Sequence, residues 1–367
     1  MIACLLCLSF QYDIAYSVGS YAYIIGGQFI CFKVSCSVRG DFYIIYLDGI
    51  FQGYIACTLL ADAAQFGSSN SDCDIVVLET GMGGLLDCTN TIKSPLCAVI
   101  TTIGLDHTAI LGDTIEKIAQ QKCGIFKPDS MAVTSKQDIR AMKVIESTAR
   151  EKKIPLATSG SVNIDVIETT LKGSRFMFNG VEIDLPLSGD HQLENAKTAL
   201  ATLDMLRCNS LISITDEQIA NGFAKAVNPA RLELLSEKPI VLLDGAHNPN
   251  GIEALKSAIQ KFLPNKYIIA ITGMLADKDV STSVKLLDGV FDRVYTVPVH
   301  NPRAMHPAKL MQQYARFVDD TVTFESAEHA FDMAFEQAEK TDCAVVICGS
   351  LYLAAEARPL LLKEAEK

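Results

Sequence analysis

Several things are scarce or missing in this chain of 367 residues, and each absence excludes something. There is no Gly-x-Gly-x-x-Gly motif, so no dinucleotide is implied. No set of paired cysteines stands at zinc spacing. Cys4 and Cys7 are three apart, but no second pair or histidine follows at ligand distance. The other cysteines fall mostly inside apolar runs, as at Cys97, Cys343 and Cys348, and read as buried thiols of a reducing cytoplasm rather than disulfides. Basic residues are outnumbered, 32 Lys and Arg against 43 Asp and Glu, and a net charge of −11 leaves no basic footprint for nucleic acid. Anions can still be held if backbone amides and a metal ion neutralise them.

Positive charge is scarcest at the start, where only Lys33 and Arg39 occur among the first 60 residues. No positive stretch precedes the apolar residues 1–10, so no signal peptide is expected. Residues 14–32 are uncharged, which makes a weak membrane-span candidate. Ser17, Ser20, Gln28 and several glycines interrupt it, and no membrane partner is expected. The first stretch also crowds the aromatics, 12 of 27 by position 54, and residues 1–52 read as an atypical segment foreign to the rest of the chain.

What remains is ordinary globular composition, 49% apolar and 20% charged, at a length that suggests two domains. Residues 53–67 carry Ile55, Leu59, Leu60 and Ala63 at helical spacing. An apolar run then delivers Glu79 into a glycine-rich loop with Gly81, Gly83 and Gly84. A second run, residues 97–101, leads to Asp106 and His107, read as lying on the adjacent strand end. Asp113 and Glu116 look like the N-cap and capping-box partner of a helix that carries Lys122 and ends near Gly124. Alternation over residues 162–187, with the Asn179-Gly180 turn, predicts a small antiparallel sheet. Thr215 and Gln218 form a capping box. After a hinge at residues 228–231, strands alternate with helices five times, which predicts a parallel sheet covered on both faces. The expected domains are residues 53–227 and 228–367, with 1–52 apart.

Glu79 is either a helix cap or strand end, or an oxygen ligand for Mg²⁺ at the edge where open α/β sheets bind ligands. A lone histidine such as His107 is more often structural, and Lys122 alone would pass for a solvated lysine. In the second domain Asp244 or Asn248 could simply cap the following helix, or Asp244 and His247 could face a ligand. Polar loops recur at Asp277, Lys278 and Asp279, at Asn301 and Arg303, and at Ser350 and Tyr352, all at the ends of strands of one sheet.

These stretches together resemble the folylpolyglutamate synthase/dihydrofolate synthase family of the Mur-ligase superfamily. The carriers are ETGMGGLLDCTN, TTIGLDHTAILGDTIEKIAQQKCGIFKP, LSGDHQLENA, RLELL, VLLDGAHNPNG, TGMLADKD, NPRAM and CGSLYLAAEAR, in order over about residues 53–360. The resemblance implies a Mur-ligase-like α/β fold, with a P-loop-type domain bearing a small antiparallel insertion and a C-terminal Rossmann-like domain. It implies an ATP-dependent ligase, monomeric and cytoplasmic, joining L-glutamate to a folate or dihydropteroate. It makes Glu79 and His107 ligands of Mg²⁺, and Lys122 a lysine that is carbamylated. Asn195, Arg231 and Asp244 become ATP contacts, and Leu86, Asp87 and Cys88 a pterin-side loop. His247 and Ser350 fall near the glutamate or acyl phosphate.

Some family features are not seen. The Gly-x-x-Gly-Lys-Ser/Thr loop that opens the family pattern is absent, and family spacing would place it upstream of Met1. On that ground little or no ligase activity is expected of the chain as given, leaving a remnant or another Mur-type amino-acid ligase as alternatives. Leu85 stands where the family often has arginine. Ala230 and Asp129 stand where glycine is usual, which matters at Ala230 only if its backbone needs a positive φ.

Overall fold

The computed structural model describes residues 30–32, 43–48 and 75–365. The helix expected over residues 53–67 lies outside the described residues, as do most of residues 1–52. The chain divides into two compact units. Unit 1 comprises Met1–Ile167, Arg175–Pro186 and Gln192–Val227, and unit 2 comprises Glu168–Ser174, Leu187–His191 and Asn228–Lys367.

Unit 1 is built on a six-stranded sheet. Its strands are β1 (Ile30–Phe32), β2 (Tyr43–Asp48), β3 (Ile75–Thr80), β4 (Cys97–Ile100), β5 (Met131–Thr134) and β6 (Leu156–Thr158), in the spatial order β1-β3-β2-β4-β5-β6. All neighbours are parallel except β1, which runs antiparallel to β3. The order corrects one expectation. The strand leading to His107 is not beside the strand bearing Glu79, because β2 pairs with both. Glu79 is level with Leu47, and Leu47 with Val99, so the two strand ends stand roughly 10 Å apart, two strand spacings. Sequence order cannot reveal this, since the chain places β3 on one side of β2 and β4 on the other. That reversal is a topological switch point, the place at the C-terminal ends of the strands where open α/β sheets bind ligands.

Two short helices follow β4: α1 (Thr108–Leu111) and α2 (Ile115–Lys122). The N-cap of α2 is Thr114, whose hydroxyl accepts from the Lys117 amide, and not Asp113. Asp113 instead pairs with the Lys117 ammonium one turn on, at 2.8 Å. An extended Thr114 placed directly before the helix outcompetes a carboxylate one residue further out. Helix α3 (Ile139–Lys152) is capped by Asp138. Ile100, Ile118, Ile125, Phe126 and Ile145 form the buried core beneath these helices, each contributing about 1.5–3 kcal/mol by leaving water.

A three-stranded antiparallel sheet follows as expected: β7 (Asp165–Thr170), β8 (Gly173–Phe178) and β9 (Val181–Leu185). Asn179 and Gly180 turn β8 into β9 with φ of 50° and 82°, the left-handed pair that matches strand twist. Helix α4 (Asp190–Cys208) and helix α5 (Asp216–Phe223) complete this part of the chain, α5 with the expected reciprocal box between Thr215 and Gln218.

Unit 2 carries strands β10 (Glu233–Glu237), β11 (Ile240–Leu243), β12 (Ile268–Thr272), β13 (Arg293–Thr296), β14 (Asp320–Thr323) and β15 (Ala344–Cys348), ordered β10-β11-β15-β12-β13-β14. Five of them are parallel, as predicted. The sixth, β10, is an antiparallel edge hairpinned to β11, which the parallel reading missed. Its exposure is intermediate along most of its length, so it lacks the apolar run that marks the buried strands.

The helices are α6 (Pro249–Phe262), α7 (Val280–Leu286), α8 (Pro307–Tyr314), α9 (Ala327–Thr341) and α10 (Leu351–Ala365). Strand residues alternate between two cores. Leu242, Ala270, Val294 and Val346 face Ile252, Leu255, Val284 and Leu310, while Leu243, Ile271, Tyr295 and Ile347 face Ala330, Phe331, Leu353 and Ala357. The period of two in each strand thus puts helices on both faces.

Candidate functional site

In unit 1 Glu79 and the loop bearing His107 lie at the C-terminal ends of β3 and β4, at the switch-point edge. Glu79 is the fifth residue of β3, inside the strand rather than after it, and is half-buried. Thr80 beside it is fully buried, and its hydroxyl has no hydrogen-bond partner among the described residues. The loop after β3 is locked to the end of α2. The Leu85 amide donates to the Gln121 carbonyl at 2.7 Å. Asn90 Nδ2 donates to the Leu85 and Gly124 carbonyls at 3.0 and 3.1 Å. A Cβ on Gly124 would lie 2.3 Å from Leu85 Cα, so only glycine permits this approach. The lock gathers Leu86, Asp87 and Cys88 beside the helix end that carries Lys122.

Asp87 serves that loop directly. One of its oxygens accepts from the Met82 amide at 2.7 Å, and the other from the Thr89 amide and hydroxyl at 2.9 and 2.6 Å. Its carboxylate therefore caps the turn Cys88–Thr91 and shapes the loop, while Leu86, 89% exposed, is what the loop presents. Leu85 and Leu105, on the loops after β3 and β4, and Ile110, on α1, are exposed as well.

His107 sits on the second loop, in the left-handed region with φ of 50°. It opens α1, its amide donates to Asp106 at 2.8 Å, and its Nε2 lies 3.8 Å from the same carboxylate. A non-glycine residue held there is strained, a condition that gathers at functional sites. Gln137 fixes the loop from below, taking the Ile103 amide and donating to the Thr101 carbonyl at 2.9 and 2.8 Å.

Among the described residues no three His, Cys, Asp or Glu side chains are grouped to hold a metal ion. The half-buried Glu79 carboxylate at the C-terminal end of β3 still suits a hard cation that keeps waters and borrows phosphate oxygens from a substrate. The residues fit Mg²⁺ of that kind and not a closed protein cage.

In unit 2, Asp244 follows β11 and is buried. One oxygen accepts from the Leu232 amide and the other from the Ala246 amide, each at 2.7 Å. Burial pushes its carboxyl above the usual range, while Arg231 and the two amides pull the other way. Asp244 thus ties the turn bearing Arg231 to the strand end, and the Gly245 amide ties it again by donating to the Ala230 carbonyl at 2.7 Å.

The residues on either side of Arg231 are both left-handed, Ala230 at φ 57° and Leu232 at 46°, so the alanine does occupy a backbone where glycine would sit more easily. Asp129, the other substituted position, is left-handed too, at 61°. Glu233 supports the turn, accepting from the Ala230 amide at 2.8 Å and pairing bidentately with Arg358.

His247 Nδ1 stands 2.8 Å from the Gly245 carbonyl. A carbonyl only accepts, so Nδ1 is the donor in this contact. Asn248, not Asp244, caps α6 through the Gly251 amide, which bears out the structural reading for that residue. Ser350 is buried at the start of α10, its Oγ accepting from the Tyr352 amide at 3.1 Å. It is drawn toward His247 by the Gly349 amide, which donates to the Ala246 carbonyl at 2.9 Å. Arg303 reaches Asp277 at 2.9 Å.

Asn195 lies on α4 within unit 1, buried, and donates to Gln192 at 3.0 Å. Two residues were missed in the sequence. Asn90 had no signal, since an exposed-looking asparagine after a threonine predicts nothing. His191 stood in a recognised motif but without a role. Its pKa is pushed down to about 4, first by burial and then by Arg231.

The chain is similar to known proteins over the same stretches. The Mur ligase middle domain matches residues 58–203, and the glutamate ligase domain of Mur ligases matches residues 230–351. It is 33% identical to the dihydrofolate synthase/folylpolyglutamate synthase of Escherichia coli over 87% of this chain and 70% of that one. It superposes on a Mycobacterium tuberculosis folylpolyglutamate synthase complexed with ADP at a TM-score of 0.72 and 30% identity, covering 81% of this chain and 70% of that one. A Yersinia pestis bifunctional folylpolyglutamate synthase/dihydrofolate synthase complexed with AMPPNP and Mn ion matches at 0.69 and 30% identity, over 83% and 70%. The chain belongs to the folylpolyglutamate synthase/dihydrofolate synthase family of Mur ligases.

Proposed function

We propose that this protein is an ATP-dependent ligase that joins the amino group of L-glutamate to a carboxylate of a folate, a dihydropteroate, or both. The observation that carries the reading is its membership of a family whose relatives bear these names across both units. A free carboxylate is a poor electrophile. Attack of the folate carboxylate on the γ-phosphorus of ATP releases ADP and makes an acyl phosphate. The glutamate amine then attacks the acyl carbon, phosphate leaves, and an amide remains.

In this reading Glu79 and His107 would hold Mg²⁺, and Lys122, its amine adding CO2 with release of two protons, would become a carbamate anion able to support the metal. Mg²⁺, when bound, neutralises the crowded phosphate charge. Arg231, Asp244 and Asn195 contact the nucleotide, and Arg231 offsets charge that develops on the transferred group. Leu86 and the loop shaped by Asp87 and Cys88 meet the pterin side. His247 serves the glutamate or acyl-phosphate region, and Ser350 supports that loop. The protein works as a cytoplasmic monomer.

The alternative of an inactive remnant is not favoured, because the likeness runs through both catalytic units. Incubation with ATP, Mg²⁺, L-glutamate and either pterin substrate tests the reading by mass spectrometry. A product heavier by one glutamyl residue, formed with one ADP, supports it. ADP formation without glutamyl product on either substrate would remove it.

A further inference from the structure

The segment Leu187–His191 packs in unit 2, in the same compact body as the Arg231 turn. At Gly189, φ is 99°, and an added Cβ would lie 2.7 Å from His191 Cε1, 2.8 Å from Nδ1 and 2.8 Å from Leu232 Cδ1. The imidazole and the Leu232 side chain thus converge on one point that only glycine leaves open. Leu232 is the left-handed residue directly after Arg231, and its amide is held by Asp244. Arg231 is half-buried, and its charge acts on both His191 and Asp244.

We propose that His191 is a positioning residue for Arg231. Its uncharged ring, seated on Gly189 beside Leu232, holds the strained turn of residues 230–232 so that the guanidinium meets the nucleotide in one orientation. The inference rests on the proposed contact between Arg231 and the nucleotide. Neutrality matters as much as shape. The charges that bear on the ring are Arg231, which repels a proton there, and Asp190 on its own helix, which favours one. Asp190 is itself paired with Lys261 at 2.6 Å, which blunts its pull.

The test is ADP affinity by calorimetry on the full chain, with folding checked by circular dichroism. The variants are Arg231→Met, His191→Ala, His191→Phe, His191→Lys and the double variant His191→Ala with Arg231→Met. Arg231→Met is expected to weaken ADP at least tenfold. His191→Ala is expected to weaken it about tenfold, and His191→Lys more. His191→Phe, neutral and ring-shaped, should stay within about threefold of the parent. The double variant should bind no more weakly than Arg231→Met alone.

If Arg231→Met leaves ADP affinity intact, the nucleotide assignment itself fails. If Arg231→Met weakens ADP but His191→Ala adds a full, independent loss in the double variant, or if His191→Phe is as weak as His191→Ala, the positioning role is overturned. His191→Phe also preserves the packing, so it decides the question even where His191→Ala folds poorly.

Discussion

The two sheet edges of this molecule are built in opposite ways. At the edge of the unit 2 sheet the polar side chains are already committed to backbone partners. Asp244 has an amide on each oxygen, Asn248 caps a helix, and the Nδ1 of His247 is fixed by a carbonyl. At the edge of unit 1 the segments after β3 and β4 present apolar side chains, Leu85, Leu86, Leu105 and Ile110, beside a half-buried carboxylate and a strained histidine. One edge is preorganised and polar, suited to orienting charged groups without rearrangement. The other combines an apolar rim with oxygen donors, suited to a flat aromatic ligand beside a hydrated cation. Residues that look alike in sequence, a carboxylate after an apolar strand in each unit, therefore do different work.

Breaking the unit 1 edge at its carboxylate should have the largest effect. Glu79→Gln is expected to lower kcat for glutamyl transfer by about two orders of magnitude, several kcal/mol of lost charge stabilisation, with little change in unfolding midpoint. The corresponding change in unit 2 should act on stability first. Asp244→Ala orphans two buried amides, at about 1–3 kcal/mol each, so urea unfolding should show a loss of about 2–6 kcal/mol. Asp244→Asn, which keeps one acceptor, should lose about half as much. Equal stability of Asp244→Ala and the parent would mean that the carboxylate is not what holds the turn.

The third effect is pH-dependent. His191 has a folded pKa of about 4 against an ordinary 6.5, so the folded state binds the proton less readily than the unfolded one. Its contribution is fully present above pH 6.5 and is lost as pH falls toward about 4. Unfolding monitored across that window should show a loss on the order of 2–3 kcal/mol, flattened in His191→Phe. Smaller still is Ala230→Gly, which removes a left-handed alanine and should raise stability by up to about 1 kcal/mol, read as a rise of about 2–4 °C in Tm. Leu86→Ala should leave stability unchanged, because the side chain is exposed, and raise KM for the pterin substrate a few-fold. An unchanged KM would show that the apolar rim does not meet substrate.

Much of this was legible in the sequence, and the remainder follows a pattern. Local signals held. The Asn179-Gly180 turn, the Thr215 and Gln218 box, and the five alternating strands of unit 2 each follow from residues close together in the chain. Non-local pairing did not show. Nothing near Glu79 or His107 says that β2 separates their strands, since that depends on residues far earlier in sequence. The edge strand β10 is only half-buried, so its pattern is weak. The use of Asp87 by its own loop was hidden because a carboxylate in a glycine-rich turn reads equally as ligand or cap. The strain around Arg231 was visible only as an alanine in a glycine's place, and its meaning depended on the φ that the structure supplies.

The central claim is that the protein activates a carboxylate through an acyl phosphate, and isotope transfer tests it most directly. A folate substrate labelled with heavy oxygen in its reacting carboxylate is turned over with ATP and L-glutamate, and the released phosphate is analysed by mass spectrometry. An acyl phosphate requires one labelled oxygen in each phosphate formed. Amide product accompanied by unlabelled phosphate, or by AMP and pyrophosphate, would contradict it.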